Sequence, residues 1–219
     1  MARRTKRTIL VTAGPTRAYL DDIRFLSNLS TGALGYEICR EFIRRQWNVI
    51  AIVGPSSLPF EELGLTQLIR VDTNQEMLNA ALQVGRKCLP SFAIFSAAVL
   101  DFVPSHRRIG KTRSALSSWR IQLVPAPKII LEFARRFPKT QRVEFKLETK
   151  STNPITLGRK ILQRTGSLAV CVNFLRDVSK RGHRATLVTP AHATRLTTKR
   201  SIAQSLGRLL AESTKMTGS

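Results

Sequence analysis

The sequence predicts an α/β fold of Rossmann-like type, a three-layer sandwich with a mostly parallel central sheet, and three observations carry that prediction. Short apolar runs of strand length alternate with longer amphipathic stretches from Thr8 to Leu210. The first apolar run, Thr8–Ala13, breaks directly into Gly14-Pro15-Thr16, the kind of strand-to-turn junction that faces a ligand in such sheets. A hydrophobic content of 42% over 219 residues is ample for one buried core, while no stretch approaches the roughly 18 apolar residues that a membrane helix needs. One domain over 8–212 is expected, with a basic tail at 1–7 and a short tail at 213–219.

The elements follow in order. After the strand Thr8–Ala13, residues 32–46 read as a helix, with Leu34, Ile38, Phe42 and Ile43 on one face and Arg40, Arg44 and Arg45 on the other. Asn48–Val53 is the next strand and completes a βαβ unit. Leu68–Val71, a helix over Asn74–Cys88 and a strand over Phe92–Ala98 repeat the rhythm. Asp101–Ser118 is rich in cations, lacks periodicity and is expected to be a long loop. Strands at Trp119–Val124, Arg142–Leu147, Leu168–Asn173 and Arg184–Val188 are then interleaved with helices at Lys128–Arg136 and Ile155–Arg164, and a helix at Ser201–Leu210 closes the domain.

Composition excludes several classes of function. Cys39, Cys88 and Cys171 are scattered, without the C-x-x-C spacing of a zinc or redox site, and are expected to be buried structural thiols. His106, His183 and His192 are equally dispersed, so no histidine metal centre is predicted and the metal ligands stay unassigned. The basic start is followed by an apolar run of only six residues before Gly14-Pro15, which reads as a strand and not a leader; the cytoplasm is expected. With 36 basic and 14 acidic residues the formal net charge is +22, enough to hold polyanions at low salt. A nucleic-acid reader would also interleave aromatic residues with the cations, but aromatics are only 6% and lie mostly within apolar runs. A dinucleotide site would carry G-x-G-x-x-G after the first strand, whereas Gly14 stands alone there.

Three segments at strand ends carry chemistry. At Gly14-Pro15-Thr16-Arg17 a glycine lets backbone N–H groups approach a phosphate, Thr16 offers a hydroxyl and Arg17 a charge, although a plain turn fits too. At Asp22–Gly35, Ser30, Thr31 and Gly32 open a helix where an anion is favoured; Ser30 or Thr31 as a simple cap is the plainer account. That account leaves Arg24 and Asn28 unexplained. At Ser96-Ala97-Ala98-Val99-Leu100-Asp101, small residues end a buried strand and an acid follows at its mouth.

Taken together these segments resemble phosphopantothenoylcysteine synthetase, the ligase half of the bifunctional coenzyme A biosynthesis flavoproteins. ILVTAGPTR at Ile9–Arg17 is similar to that family's first strand and turn. IRFLSNLSTGALG at Ile23–Gly35 is similar to its R-F-x-S-N-x-S-S/T-G-x-x-G segment, and SAAVLDF at Ser96–Phe102 to its A-A-V-x-D-F/Y strand end. VPAPKII at Val124–Ile130, VEFKLET at Val143–Thr149 and the stretch from Lys160 to Asn173 follow in the family's order, so the resemblance covers about Thr8 to Val188.

The resemblance implies a ligase that joins 4′-phosphopantothenate to L-cysteine. The carboxylate attacks the α-phosphate of CTP or ATP, CTP being favoured, with Mg2+; pyrophosphate leaves, and the cysteine amine takes the acyl group from the acyl-nucleotide. No protein nucleophile and no flavin are needed. By motif position Asn28 holds the intermediate and Arg24 binds the carboxylate or phosphate, its planar fork matching such oxyanions. Gly14, Pro15 and Thr16 belong to the nucleotide site, Ser96 and Ala97 line the base pocket, and Asp101 meets the ribose or a magnesium-bound group. Pro127, Lys128, Ile129, Ile130 and Phe145 hold the nucleotide, Lys160 and Arg164 bind phosphates, and Ser30, Thr31 and Gly32 complete the substrate-binding segment.

Two departures matter. The family's K-I-K-K-like loop reads Arg107-Arg108-Ile109-Gly110-Lys111 here, so the catalytic cation is Arg108 if Ile109 is aligned and Lys111 if residues are counted from Asp101; Lys111 is preferred. Ala33 stands where a basic residue is common. The resemblance further implies a homodimer, and a separate decarboxylase for the next step, since no flavin-binding half is expected in this chain.

Overall fold

The computed structural model describes residues 7–178 and 182–216. Strand β1 (Thr8–Ala13) leads into a hairpin of β2 (Arg17–Tyr19) and β3 (Phe25–Ser27), and then into helix α1 (Ala33–Arg44). Next come β4 (Asn48–Val53), β5 (Gln67–Arg70), α2 (Asn74–Cys88) and β6 (Phe92–Phe95). A second hairpin pairs β7 (Phe102–Pro104) with β8 (Leu123–Pro125). Helix α3 (Ile129–Arg136), β9 (Gln141–Glu148), α4 (Pro154–Thr165), β10 (Ala169–Val178), β11 (His183–Val188), β12 (Ala193–Leu196) and α5 (Lys199–Met216) complete the chain.

β1 and β4 are apolar at nearly every position and buried along their length, as strands covered on both faces must be. The helices start where the sequence supplies donors and acceptors for their ends. Thr73 and Glu76 form a reciprocal capping box on α2, and Asn153 accepts from Ile155 and Thr156 at the start of α4, with Pro154 in its first turn.

The main sheet runs β12-β11-β10-β9-β6-β1-β4-β5. From β5 to β10 every neighbouring pair is parallel; β11 and β12 are each antiparallel to the strand before them. The chain steps outward from β1 to β4 and β5, then returns to β6 on the other side of β1. That reversal puts a crevice at the carboxyl ends of β1 and β6, where doubly wound sheets bind ligands.

Alternate residues of the strands feed opposite faces. Ile9, Val11 and Cys171 pack with Ile38 and Phe42 of α1 and Ile202 and Leu206 of α5. Leu10, Ile50 and Ala93 pack with Met77 of α2 and Phe133 of α3, while Val170 and Val172 meet Ile161 of α4. The result is a three-layer α/β sandwich, as the sequence predicts. No helix among the described residues is long and apolar enough to cross a membrane.

Several local expectations are corrected. Between Trp119 and Val124 only the last residues are extended, and β8 lies in the side hairpin instead of the main sheet. Part of the expected loop after Asp101 is its partner β7. β6 ends at Phe95, three residues early, because the chain leaves the ladder before Ala98 returns to bridge Pro15. α5 runs from Lys199 to Met216, longer at both ends than the expected Ser201–Leu210. The tail residues 1–6 and 217–219 lie outside the described residues. Cys39 and Cys171 are buried, and burial pushes both thiols well up, but Cys88, at the end of α2, is exposed.

Candidate active site at the strand ends

The floor of the crevice is made of backbone in close contact. Gly14 has φ +75°, and its carbonyl accepts from the Ala98 N–H at 2.9 Å, tying the β1 turn to the end of β6. The Gly54 N–H donates to the Ala13 carbonyl at 3.0 Å, and a Cβ at Gly54 would stand 1.7 Å from the Pro15 oxygen. A Cβ on Gly35 would come within 2.3 Å of the Ala13 Cβ, so α1 can approach the strand end only with glycine there. Gly32, at φ +79°, is the N-cap of α1, and no side chain caps the helix. The simple-cap account of Ser30 and Thr31 is therefore corrected: their hydroxyls make only long 3.4 Å contacts to the N–H groups of Gly32 and Ala33. An uncapped helix start beside a glycine turn leaves N–H groups and the positive end of the helix dipole open, which favours an anion.

Thr16 does not face this crevice. It is fully buried, its hydroxyl donates to the Asn74 carboxamide, and it accepts from the Leu100 N–H at 3.2 Å. Its part is to hold the β1 turn, the start of α2 and the chain after β6 together. Ser96 likewise donates to the Thr12 carbonyl at 2.6 Å, and the Ala97 N–H donates to the Thr12 hydroxyl. Asn28, at the end of the β2–β3 hairpin, donates through Nδ2 to the carbonyls of Ala98 and Val99 at 3.2 and 3.1 Å. This brings Asn28 to the same edge as Gly14 and leaves its side chain exposed. Asp101 is exposed and ion-paired with Lys128, the N-cap of α3.

Arg24 and the cation-rich loop meet on two adjacent carboxylates. Asp21 is fully buried and accepts from the N–H groups of Ile23, Arg24 and Thr112 and from the Arg24 guanidinium at 2.8 Å. Burial alone would push this carboxyl up; the donors of Thr112, Arg24 and Ile23 outweigh it and hold the group well below the usual carboxylate range. Asp22 accepts from Arg107 at 2.7 Å and from the Gly110 N–H at 2.8 Å, and the Arg107 contact leads in lowering its pKa. Arg24 and Arg108 both lie over the Trp119 ring, at 5.4 and 5.7 Å from its centroid. Lys111 is exposed and has no carboxylate at ion-pair distance among the described residues.

Other expected site residues lie elsewhere. Ile129 is buried against the α2–α3 core, Ile130 is half-buried beside it, and Pro127 is exposed just before α3. Phe145 packs against the α1–α5 core, level with the end of β6 because Glu144 pairs with Phe95. Lys160 and Arg164 lie on the exposed side of α4. That helix starts near the carboxyl end of β9 and runs back, so Arg164, ten residues after Pro154, sits about 15 Å from its start at 1.5 Å per residue. The expectation that Arg164 joins the phosphate cradle of its own chain is corrected by this direction of the helix.

The structure also adds residues that the sequence did not single out. A crevice of about 440 Å³ opens where the starts of α1 and α5 lie side by side; Ala33, Tyr36, His183, Thr198, Lys199 and Arg200 are among its walls. His183 is buried, Asn173 lies 3.5 Å from its Nε2, and Nδ1 has no partner among the described residues. Burial, helped by the Lys199 charge, lowers its pKa to about 4, so the ring is neutral at pH 7. The available signal was Thr198-Lys199-Arg200, a basic pair opening a helix just after a strand.

Comparison with known proteins agrees with this architecture. Residues 4–213 match the family described as DNA/pantothenate metabolism flavoprotein C-terminal domain. The coenzyme A biosynthesis bifunctional protein CoaBC of Thermococcus kodakarensis is 34% identical over 205 residues, 91% of this chain and 50% of that protein. The CoaBC of Bacillus subtilis is 32% identical over 142 residues, 65% of this chain and 34% of that protein. The chain thus spans about half the length, or less, of these relatives. Among solved structures, the DNA/pantothenate metabolism flavoprotein of Streptococcus pneumoniae superposes with a TM-score of 0.81 at 24% identity, covering 94% of this chain and 99% of that one. A Cab2 mutant in complex with phosphopantothenate-cysteine gives 0.76 at 18% identity, covering 97% and 88%. These likenesses fix the fold.

Proposed function

Since the chain belongs to the DNA/pantothenate metabolism flavoprotein C-terminal domain family, we propose that it is a ligase joining 4′-phosphopantothenate to L-cysteine through an acyl-nucleotide. One observation supports the reading: a glycine turn, an uncapped helix start and the Asn28 carboxamide meet at the switch point, and the turn of the same β2–β3 hairpin holds a cation loop. Such a reaction needs little covalent chemistry from the protein. It needs donors for a triphosphate, a cation that follows charge onto the leaving pyrophosphate, and groups that hold the acyl phosphate until the amine arrives.

The residues divide into those roles. The Gly14 turn and the start of α1 take the triphosphate, and the crevice with His183, Lys199 and Arg200 extends the same wall. Asn28, with both N–H groups of Nδ2 spent on Ala98 and Val99, presents its carbonyl oxygen to the acyl-nucleotide. The Arg24 guanidinium is engaged with Asp21 and the Thr112 carbonyl on one side, which orients its free edge as a rigid fork for the substrate carboxylate or phosphate. Between the loop cations, Arg108 is drawn to the Trp119 face while Lys111 has no ion pair among the described residues, which supports Lys111 as the mobile cation. Mg2+ fits as a companion of the nucleotide. Among the described residues no three His, Cys, Asp or Glu groups converge into a cage, and Asp101 offers a single carboxylate, a donor set suited to an ion held mainly by phosphates and water. CTP is the favoured nucleotide, with ATP as the alternative.

The test uses the purified chain with phosphopantothenate, cysteine, magnesium and either CTP or ATP, with pyrophosphate as the readout. Release that depends on both other substrates, faster with CTP, is the expected result. No release with either nucleotide overturns the ligase reading.

A further inference from the structure

The chain between β7 and β8 has no regular secondary structure, yet its first half is held by consecutive residues: the Leu20 carbonyl accepts from the Arg108 N–H at 3.0 Å, and Asp21 and Asp22 hold two further points. One is buried and permanent: Asp21 takes the Thr112 N–H at 3.0 Å, and Arg24, bound to the same carboxylate, reaches the Thr112 carbonyl. The other is open to water. The Asp22 side chain is 45% exposed and holds Arg107 and the Gly110 N–H, while the Gly110 carbonyl accepts from the Asp22 N–H at 3.3 Å. Between the two points lies the turn carrying Arg108 and Lys111, with Gly110 at φ +75° and Ile109 wholly exposed at its tip.

The chemistry of the two carboxylates separates their roles. Asp21, with four donors and no exposed surface, cannot let go without leaving a buried charge. Asp22 has two partners and solvent beside it, so its contacts break and reform at little net cost. Charge points the same way: Arg107, Arg108, Lys111 and Arg113 crowd seven positions, and Asp22 neutralises the first of them. Arg108 and Lys111 are thereby left for an anion in a fixed relation to Asn28, four residues beyond Arg24.

We propose that Asp22 is a positioning residue, a latch that holds the Arg107–Lys111 turn against the Asp21 anchor and so sets where the loop cation meets the substrate. The role in turnover rests on the ligase reading; the latch itself rests on the contacts alone. Trypsin cuts after each of these cations, so the loop reports its own opening. In Asp22→Ala the rate of cleavage between Arg107 and Lys111 rises by roughly tenfold, with Asp22→Asn intermediate, and the melting temperature stays within about a degree because exposed pairs add little to stability. Turnover falls by roughly tenfold to a hundredfold through kcat, the nucleotide KM moving less than about threefold, as for a misplaced catalytic group. Arg107→Gln combined with Asp22→Asn is no worse than the more damaging single change, since both break one contact.

Equal cleavage of Asp22→Ala and the unaltered chain overturns the latch, whatever the activity. A lowered melting temperature with unchanged kcat also overturns it, by making Asp22 merely structural. A chain that releases no pyrophosphate overturns the ligase reading instead, and the cleavage rates then still decide the latch.

Discussion

At Gly54 a single methyl group is enough to disturb the site. The added carbon would sit 1.7 Å from the Pro15 oxygen, so the β1 turn must move. Gly54→Ala is expected to destabilise by about 1–3 kcal/mol, the usual range for overpacking, and to abolish nucleotide binding in calorimetry. Gly64→Ala is the control: Gly64 has a positive φ of +72° but a Cβ there meets nothing within 4 Å, so the variant loses about 1 kcal/mol at most and keeps binding. Among the polar groups, Lys111→Gln is expected to lower kcat by two orders of magnitude or so, within the range for lost transition-state charge stabilisation, and Arg108→Gln by less than about tenfold. Full activity in Lys111→Gln with loss in Arg108→Gln would reverse the assignment. Asn28→Asp places a carboxylate against the carbonyls of Ala98 and Val99 and removes the donor to both, so retention of the acyl-nucleotide in a rapid-quench experiment should fail.

Among the elements, helix direction sorts the cations better than motif position does. α4 begins at the sheet edge that carries the site and ends away from it, so Arg164→Gln should change the nucleotide KM by less than about twofold, a surface substitution away from the reacting groups. At the opposite end of the same helix, Asn153→Ala removes a cap with two backbone partners; it should cost about 1 kcal/mol, read as a lower melting temperature. Legibility in the sequence follows the same physics. β1 and β4 were readable because five consecutive buried residues leave a nearly continuous apolar signal. β2, β3, β7 and β8 have three residues each, too few for any period, and their pairing is decided by contacts beyond the sequence window. The same holds within the site. Gly14, Asn28 and Ser96 sit in compact motifs, whereas Asp21 and Asp22 gain meaning only from Thr112 and Arg107, 91 and 85 positions away. His183, buried by packing against β10 and α5, was illegible for that reason.

Two properties belong to the whole molecule. The first is acid sensitivity. His183 titrates near pH 4 in the folded chain against an ordinary 6.5, so the unfolded state binds its proton first and stability drains away as pH falls from 6.5 to 4. At about 1.4 kcal/mol per pH unit this amounts to roughly 3 kcal/mol, and His183→Gln should flatten that part of the curve in chemical denaturation. Asp21, with its lowered pKa, takes over only below its ordinary value of 3.8, so the two windows are separable. The second is the expected association. Phe25, Phe102 and Leu123 are each more than 40% exposed, and all three lie on the two short hairpins, which touch through β2 and β7. Apolar side chains gathered on one side of a highly charged molecule favour a partner with the same patch, and a two-fold pairing lets each hairpin cover its copy. With a net charge of +22 the copies repel one another, so the expected association would come from this apolar contact and strengthen with salt, opposite to the binding of the proposed phosphorylated substrates. Light scattering of the unaltered chain is expected to give twice the 24.5 kDa of one copy, and Phe102→Asp the mass of one. A single-copy mass for the unaltered protein at high salt would rule out the homodimer and leave the hairpins exposed for another purpose.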